Sequence, residues 1–352
     1  MRRILVTGGA GFIGTHICVN LLKKGYDVIV IDSLINSSLI ALKRVSKIVN
    51  LKNDVDKKIC FVNCDIRDYK ALNQIFLNSS KEDRPIEGVI HLAGLKSVED
   101  SLNSPIKYWD YNVHGTINLI NVMNNNNCKL IVFSSSATIY GLSKKNKIDE
   151  NSFKEPKNPY GSTKFVIEYF LNDLFKSTLN EWRIINLRYF NPIGAHPSGL
   201  IGESPIGKPN NIFPAITQVA SKKRKTLNIF GNDWPTKDGT CIRDFIHVMD
   251  LADGHISALE YLKNNEPRIK DFNLGTGVGT SVLELTNTFQ KVNNIKIPYI
   301  FLHRRKGDIA KVIADNSLAI KELNWKPKRN LDDMCRDGWK WQYQNPNGFT
   351  NE

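Results

Sequence analysis

A strand that runs directly into a glycine loop and then a helix constrains this chain's fold more than any other stretch. Arg3-Ile4-Leu5-Val6-Thr7 reads as a buried strand, Gly8-Gly9-Ala10-Gly11-Phe12-Ile13-Gly14 follows at once, and Phe12 to Lys24 has helical apolar spacing ending at Gly25. Backbone amides at such a helix N-terminus hold a pyrophosphate, and Gly8, Gly11 and Gly14 allow the close approach that a Cβ would prevent. A second strand, Asp27 to Ile31, delivers Asp32, whose carboxylate is suited to the ribose hydroxyls of adenosine and would repel a 2′-phosphate. NAD is therefore expected rather than NADP.

Tyr160-Gly161-Ser162-Thr163-Lys164 adds chemistry to that frame. Residues four apart share a helix face, so Lys164 is expected beside Tyr160. A free tyrosine has a pKa of about 10, and an adjacent ammonium together with a cationic nicotinamide ring favours the phenolate. Tyr160 is the candidate general base for redox chemistry at a carbinol carbon. Asn158-Pro159 supplies an N-cap and a first-turn proline, which places the pair on a rigid helix.

Further strand-like runs at Cys60 to Asn63, Gly88 to Ala93, Leu130 to Ser134 and Arg183 to Arg188 alternate with helical patterns at Ile106 to Met123 and Tyr160 to Phe175. The alternation predicts an α/β fold with a doubly wound parallel (Rossmann) sheet. Beyond Tyr189 long Gly/Pro-rich loops dominate, so residues 1–188 read as the NAD-binding domain and 189–352 as a smaller mixed α/β substrate lobe, with some later segments returning to the sheet.

Composition excludes several classes. No apolar run reaches the ~20 residues a membrane span needs, and the chain begins on a strand instead of a cleavable leader, so a cytoplasmic protein is expected. Cys18, Cys60, Cys64, Cys128, Cys241 and Cys335 are scattered and read as reduced, buried thiols, with Cys60 and Cys64 packing in the core rather than holding a metal. The net charge of +13 includes the run Lys222-Lys223-Arg224-Lys225, but lysines interleaved with asparagines spread the excess over solvated loops, and no nucleic-acid partner is expected.

With these residues assembled, the chain resembles the UDP-glucose 4-epimerases, also called UDP-galactose 4-epimerases, of the extended short-chain dehydrogenase/reductase superfamily. The stretches that carry the likeness are Phe133-Ser134-Ser135-Ser136-Ala137-Thr138-Ile139-Tyr140-Gly141, Leu187 to Pro197, Pro209-Asn210-Asn211, Arg243 to Val248 and Arg304-Arg305-Lys306-Gly307-Asp308. The resemblance implies that Phe12, Ile13, Asp32, Asn36, Ser37, Asp65, Ile66, Leu92, Ala93, Gly94, Lys96, Asn112 and Phe190 surround NAD, with Lys164 also reaching it. It implies that Asn191, Asn211, Arg243, Arg305 and Asp308 hold UDP, and that Ser136 and Tyr160 meet the sugar O4. Two arginines neutralise a pyrophosphate well, which fits those roles. The chain departs from the family pattern at Ser33, where asparagine is common, and at Phe245, where tyrosine is common.

The implied reaction is transient oxidation at C4 by bound NAD, through a 4-keto sugar, and return with inverted configuration, in a homodimer paired through the helices near Ile106 to Met123 and Tyr160 to Phe175. Two rival readings follow different logic. A nucleotide-sugar 4,6-dehydratase needs an extra acid and base where this chain has Ala137-Thr138, neither of which titrates. A silent NAD-sensing or RNA-binding relative would have no need of Tyr160, Lys164 and Ser136 together. The resemblance also implies that Val312 borders the sugar C2 substituent. Members restricted to glucose and galactose carry a tyrosine there, so the smaller valine leads us to expect UDP-GlcNAc and UDP-GalNAc as further substrates.

Overall fold

Short β-branched runs bounded by turn residues build the centre of the protein. In the computed structural model, which describes residues 3–50, 58–141, 146–178, 181–205, 207, 211–305 and 307–350, these runs form a seven-stranded sheet. Its strands are β1 (Arg3–Thr7), β2 (Asp27–Asp32), β3 (Ile59–Asn63), β4 (Ile86–His91), β5 (Leu130–Ser136), β6 (Arg183–Tyr189) and β7 (Arg268–Leu274), in the order β7-β6-β5-β4-β1-β2-β3. Pairing is parallel across β3-β2-β1-β4-β5. β1 is wholly buried, as a central parallel strand with continuous apolar sequence must be. The order reverses direction around β1, the switch point at which ligands bind in open α/β sheets.

The chain divides into two compact units, one of Met1–Gly141, Lys154–Arg188 and Ala252–Phe272, the other of Leu142–Phe153, Tyr189–Leu251 and Asn273–Glu352. The core of the first packs Leu5, Ile31, Leu72, Phe76, Val89, Phe133, Ile167 and Leu171 between sheet and helices. Each such side chain contributes roughly 1.5–3 kcal/mol on burial. The second unit has its own core, around Phe213, Ile216, Leu227, Ile229, Phe245 and Phe289.

The helical pattern at Ile106 to Met123 is real but broken: Pro105–Tyr108 is α-helical, Trp109–His114 is a π-turn, and Gly115–Asn125 resumes the α-helix. A π-turn carries one extra residue per turn, and here it accompanies the inward aim of Asn112. Of the six cysteines, all free, five are buried as expected, but Cys60 is exposed. Its strand β3 lies at the edge of the sheet, paired with β2 among the described residues. No helix among the described residues is long and apolar enough to cross a membrane.

Candidate active site

The glycine loop joins β1 to the helix Phe12–Lys23, whose N-cap is Gly11 in extended conformation with no side-chain cap. Gly8 adopts φ +67°, which favours glycine. A Cβ on Gly14 would lie 2.6 Å from Gly9 Cα, so that glycine lets the helix close on the loop. A Cβ on Gly11 would meet only Gly8 O, at 3.3 Å, which leaves the space over the helix N-terminus open. This cradle fits a pyrophosphate. Phe12 and Ile13 are half-buried at its rim.

Asp32, at the end of β2, is buried and braces the loop: its carboxylate accepts from Ala10 N at 3.1 Å, Leu34 N at 2.9 Å and Ser37 Oγ at 2.8 Å. Asn36 beside it is exposed. Asp65 is clasped by Arg67, whose Nη2 lies 2.6 Å from Oδ2 and holds the carboxyl below its usual range, while Ile66 turns into the core.

A directed hydrogen-bond chain supports the segment after β4. Leu92 N and Ala93 N both donate to Thr7 Oγ1 at 3.1 Å, so the Thr7 hydroxyl donates to His91 Nδ1 at 2.7 Å. His91 Nε2 then donates to Thr116 Oγ1 at 2.8 Å, and Thr116 in turn to Asn112 O. Burial pushes His91 down to about 3, with Lys164 acting in the same direction, so this histidine is neutral and structural. Asn112, buried in the π-turn, bonds Leu95 N at 2.8 Å, Leu95 O at 3.1 Å and Thr163 Oγ1 at 3.0 Å. It fixes the loop containing Gly94, next to the exposed Lys96, against the helix that bears the candidate base Tyr160.

That helix spans Pro159–Ser177 and begins as the sequence suggests, with Asn158 Oδ1 accepting from Gly161 N at 2.8 Å. The Tyr160 phenol faces Ser136, at the end of β5, whose Oγ accepts from Thr138 N at 3.2 Å and Thr138 Oγ1 at 2.9 Å. Burial pushes the phenol up to about 12, with Ser136 pulling against it. Lys164 stands beside Tyr160 as the spacing suggests, its Nζ 6.0 Å from the phenol ring centroid, and it donates to Ser134 O at 2.8 Å. A strand-end carbonyl draws the ammonium inward, and burial pushes Lys164 down to about 8. The protein's own groups do not by themselves lower the phenol, and the expected shift toward phenolate rests on the ammonium together with a cationic nicotinamide ring. Beneath the pair lies something the sequence reading missed, the buried ion pair of Glu168 and Arg188, 2.7 Å apart. Its signal was the spacing Tyr160, Lys164, Glu168.

The second unit gathers the other candidates. Arg243 Nη1 donates to Ile242 O at 2.9 Å and Ile309 O at 2.8 Å, Arg243 Nη2 lies 3.8 Å from Asp308 Oδ1, and Arg305 Nε donates to Asp308 Oδ2 at 3.3 Å. Arg305 is exposed and its guanidinium lies 4.5 Å from the Phe230 ring centroid. Val312, half-buried, is the register partner of Arg243 in the parallel pairing of Lys311–Val312 with Ile242–Arg243. Asn191 N donates to Asp244 O at 3.0 Å, and Phe190 is buried, its N donating to Leu274 O at 3.2 Å. Asn211 is the exposed N-cap of the helix Ile212–Ala220 but makes no side-chain cap. Pro209, Asn210 and Lys306 of the quoted stretches lie outside the described residues. Asp244 proves to be a structural hub, accepting from Thr276 N, Gly277 N and Ala314 N. His247 is likewise structural, accepting from Met249 N at 3.0 Å. In the basic run, Lys223 bonds Asn347 Oδ1 and Arg224 bonds Thr226 O within the chain.

Comparison with known proteins agrees with this geometry. The family described as GDP-mannose 4,6 dehydratase matches residues 5–338. A UDP-glucose 4-epimerase of Dictyostelium discoideum is 51% identical over 348 residues, covering 99% of this chain and 98% of that protein. The crystal structure of a Stenotrophomonas maltophila UDP-glucose 4-epimerase with bound NAD and formylated UDP-arabinopyranose superposes with a TM-score of 0.92 at 43% identity, covering 98% of this chain and 99% of that one. That of the Bifidobacterium longum enzyme with NAD+ and UDP gives 0.91 at 44% identity, covering 99% and 100%. With half its residues shared over almost the whole length, and with the glycine cradle and the Ser136–Tyr160–Lys164 set in place, this chain belongs to the UDP-glucose 4-epimerase family of the extended short-chain dehydrogenase/reductases.

Proposed function

We propose that this protein interconverts UDP-glucose and UDP-galactose by inverting the sugar C4, with Tyr160 as the proton-transfer residue. The observation that carries this reading is the buried Lys164 ammonium, 6.0 Å from the Tyr160 ring centroid on a capped helix, with Ser136 facing the same phenol. NAD, when bound, supplies transient oxidation at C4 and its positive ring favours the phenolate. Tyr160 then takes the O4 proton and later returns it, while Ser136 orients the same oxygen. Lys164, with its pKa near 8, is still charged at neutral pH and stabilises the phenolate at a distance. Asn191, Asn211, Arg243, Arg305 and Asp308 are proposed to hold UDP. Anchoring that end leaves the 4-keto sugar free to turn about its phosphate link, so the hydrogen returns to the opposite face.

Elimination as in a dehydratase lacks its acid and base, because Ala137 and Thr138 begin the short helical turn after β5 and cannot titrate. Val312 beside Arg243 supports a further capacity for UDP-GlcNAc and UDP-GalNAc, since valine lacks the bulk to fill space at C2. Exposed Leu102, Ile106, Trp109 and Tyr169 support a homodimer; Ile106 is 85% exposed, unusual for an isoleucine on a helix. A cytoplasmic location suits the six free thiols. The decisive experiment supplies purified protein with UDP-galactose and no added NAD, and assays UDP-glucose. A product lacking water, or none at all, would overturn the reading.

A further inference from the structure

Three consecutive residues at the end of β5 hold three residues spaced one helical turn apart on Pro159–Ser177. Ser136 faces the Tyr160 phenol, Ser134 O accepts from Lys164 Nζ at 2.8 Å, and Ser135 Oγ donates to Glu168 Oε1 at 2.5 Å. Tyr160, Lys164 and Glu168 stand at i, i+4 and i+8, on one face. The reaction described above uses the first two. Glu168 is a buried carboxylate, gripped by Arg188 Nε at 3.0 Å and Nη2 at 2.7 Å. Arg188, itself wholly buried, also donates to Tyr140 OH at 3.0 Å and pairs with Asp271. A buried ion pair often stabilises no better than apolar residues of the same size, so its presence under a catalytic lysine calls for another reason.

We propose that Glu168 is a positioning residue: held by Ser135 and Arg188, it supplies the buried negative charge that keeps Lys164 protonated next to the base. This rests on the proposed reaction for the use made of the lysine's charge. The groups facing Lys164 are Tyr160 and Glu168 on its own helix, His91 on β4, and the Phe133 ring and Ser134 O on β5. Glu168 faces Ser135 on β5, Arg188 on β6 and Asp271 on β7. Among these, His91 is neutral and Arg188 is shared by two carboxylates, Glu168 and Asp271, so the cluster sets two anions against two cations, and Glu168 is the anion on the lysine's own helix face. Burial depresses the lysine and Glu168 acts against it. Burial also raises the Glu168 carboxyl, and the Arg188 and Ser135 bonds oppose that rise. In general, a unit charge at a separation of about 6 to 10 Å, at an effective dielectric of about 20, moves a pKa by roughly one to two pH units.

The test uses the full-length protein with lysines labelled with 13C at Cε, whose resonance follows protonation, Lys164 being assigned by its loss in Lys164→Arg. In the same cofactor state, Glu168→Gln should titrate Lys164 about one to two pH units lower than wild type. Ser135→Ala, which weakens only one bond to the carboxylate, should move it the same way by less. The alkaline limb of kcat for UDP-galactose should follow, with KM unchanged. An unmoved Lys164 midpoint in folded Glu168→Gln overturns the proposal, as does a drop in melting temperature and in kcat at every pH without a shift in midpoint. Should Glu168→Gln not fold, an unmoved midpoint in Ser135→Ala overturns it equally. If wild-type protein does not turn over UDP-galactose, the reaction reading falls while the lysine titration still decides what Glu168 does.

Discussion

Gly14→Ala and Gly11→Ala each add one methyl group to the same loop, the first expected to act mainly on stability and the second mainly on cofactor binding. At Gly14 the methyl would stand 2.6 Å from Gly9 Cα and 2.9 Å from Gly9 C, and nearer still to Gly8 O. All three are backbone atoms, so no side chain can swing aside. Overpacking of this kind costs about 1–3 kcal/mol, and about 3 is appropriate where backbone must move; alanine's better helix propensity returns about 1. The net of about 2 kcal/mol corresponds to a fall in Tm of about 4–8 °C for a unit of this size. At Gly11 the methyl meets one atom at 3.3 Å, and the backbone, at φ −79° and ψ 179°, suits any residue. Losing glycine from the N-cap there costs only about 0.5–1 kcal/mol. The same methyl, however, fills the space a pyrophosphate needs, and NAD should bind at least about 100-fold more weakly, a loss of about 2.7 kcal/mol. Thermal unfolding of NAD-stripped protein, followed by circular dichroism, reads the first effect, and calorimetric titration with NAD reads the second. An unchanged Tm in Gly14→Ala, or wild-type NAD affinity in Gly11→Ala, would refute the division of labour between the two glycines.

His91 provides a pH prediction. Its folded pKa of about 3 lies below the usual 6.5, so the stability present above pH 6.5 is lost as pH falls toward 3 and the unfolded chain takes the proton. The loss reaches about 2 kcal/mol by pH 5, and urea unfolding of His91→Gln should lack it; equal acid sensitivity in the two proteins would count against a neutral His91. Tyr160→Phe should keep fold and bound NAD but lose about 10²- to 10⁴-fold in turnover, measured with UDP-galactose, and near-normal turnover would sink the assignment. Val312→Tyr should cut UDP-GlcNAc conversion roughly 10- to 100-fold and spare UDP-galactose; a wild-type enzyme inactive on UDP-GlcNAc would remove the premise. Light scattering should return about twice the chain mass of 39.9 kDa, whereas the single-chain value would exclude the dimer.

The parts of the site that could be read in advance are those built by local geometry. The glycine loop, Asp32 at the end of β2, and Tyr160 with Lys164 all depend on one strand–loop–helix unit or one helix turn, whose spacing sequence states directly. Asn158 and Pro159 announced the helix start for the same reason. The direction of Lys164 was not legible, because the acceptor that draws it, Ser134 O, lies 30 residues away and is brought near by the placement of β5.

By itself, then, the sequence pointed to the α/β class, the glycine cradle and the candidate base, since each follows from residue type and short-range periodicity. Tertiary structure alone decided which groups surround the base. Ser135 meets Glu168 across 33 residues, Arg188 meets it across 20, and the π-turn carries Asn112 to Thr163 across 51. No local periodicity encodes those meetings. They arise when parallel strands and their covering helices lock into register, burying polar groups that must then find one another or remain unsatisfied.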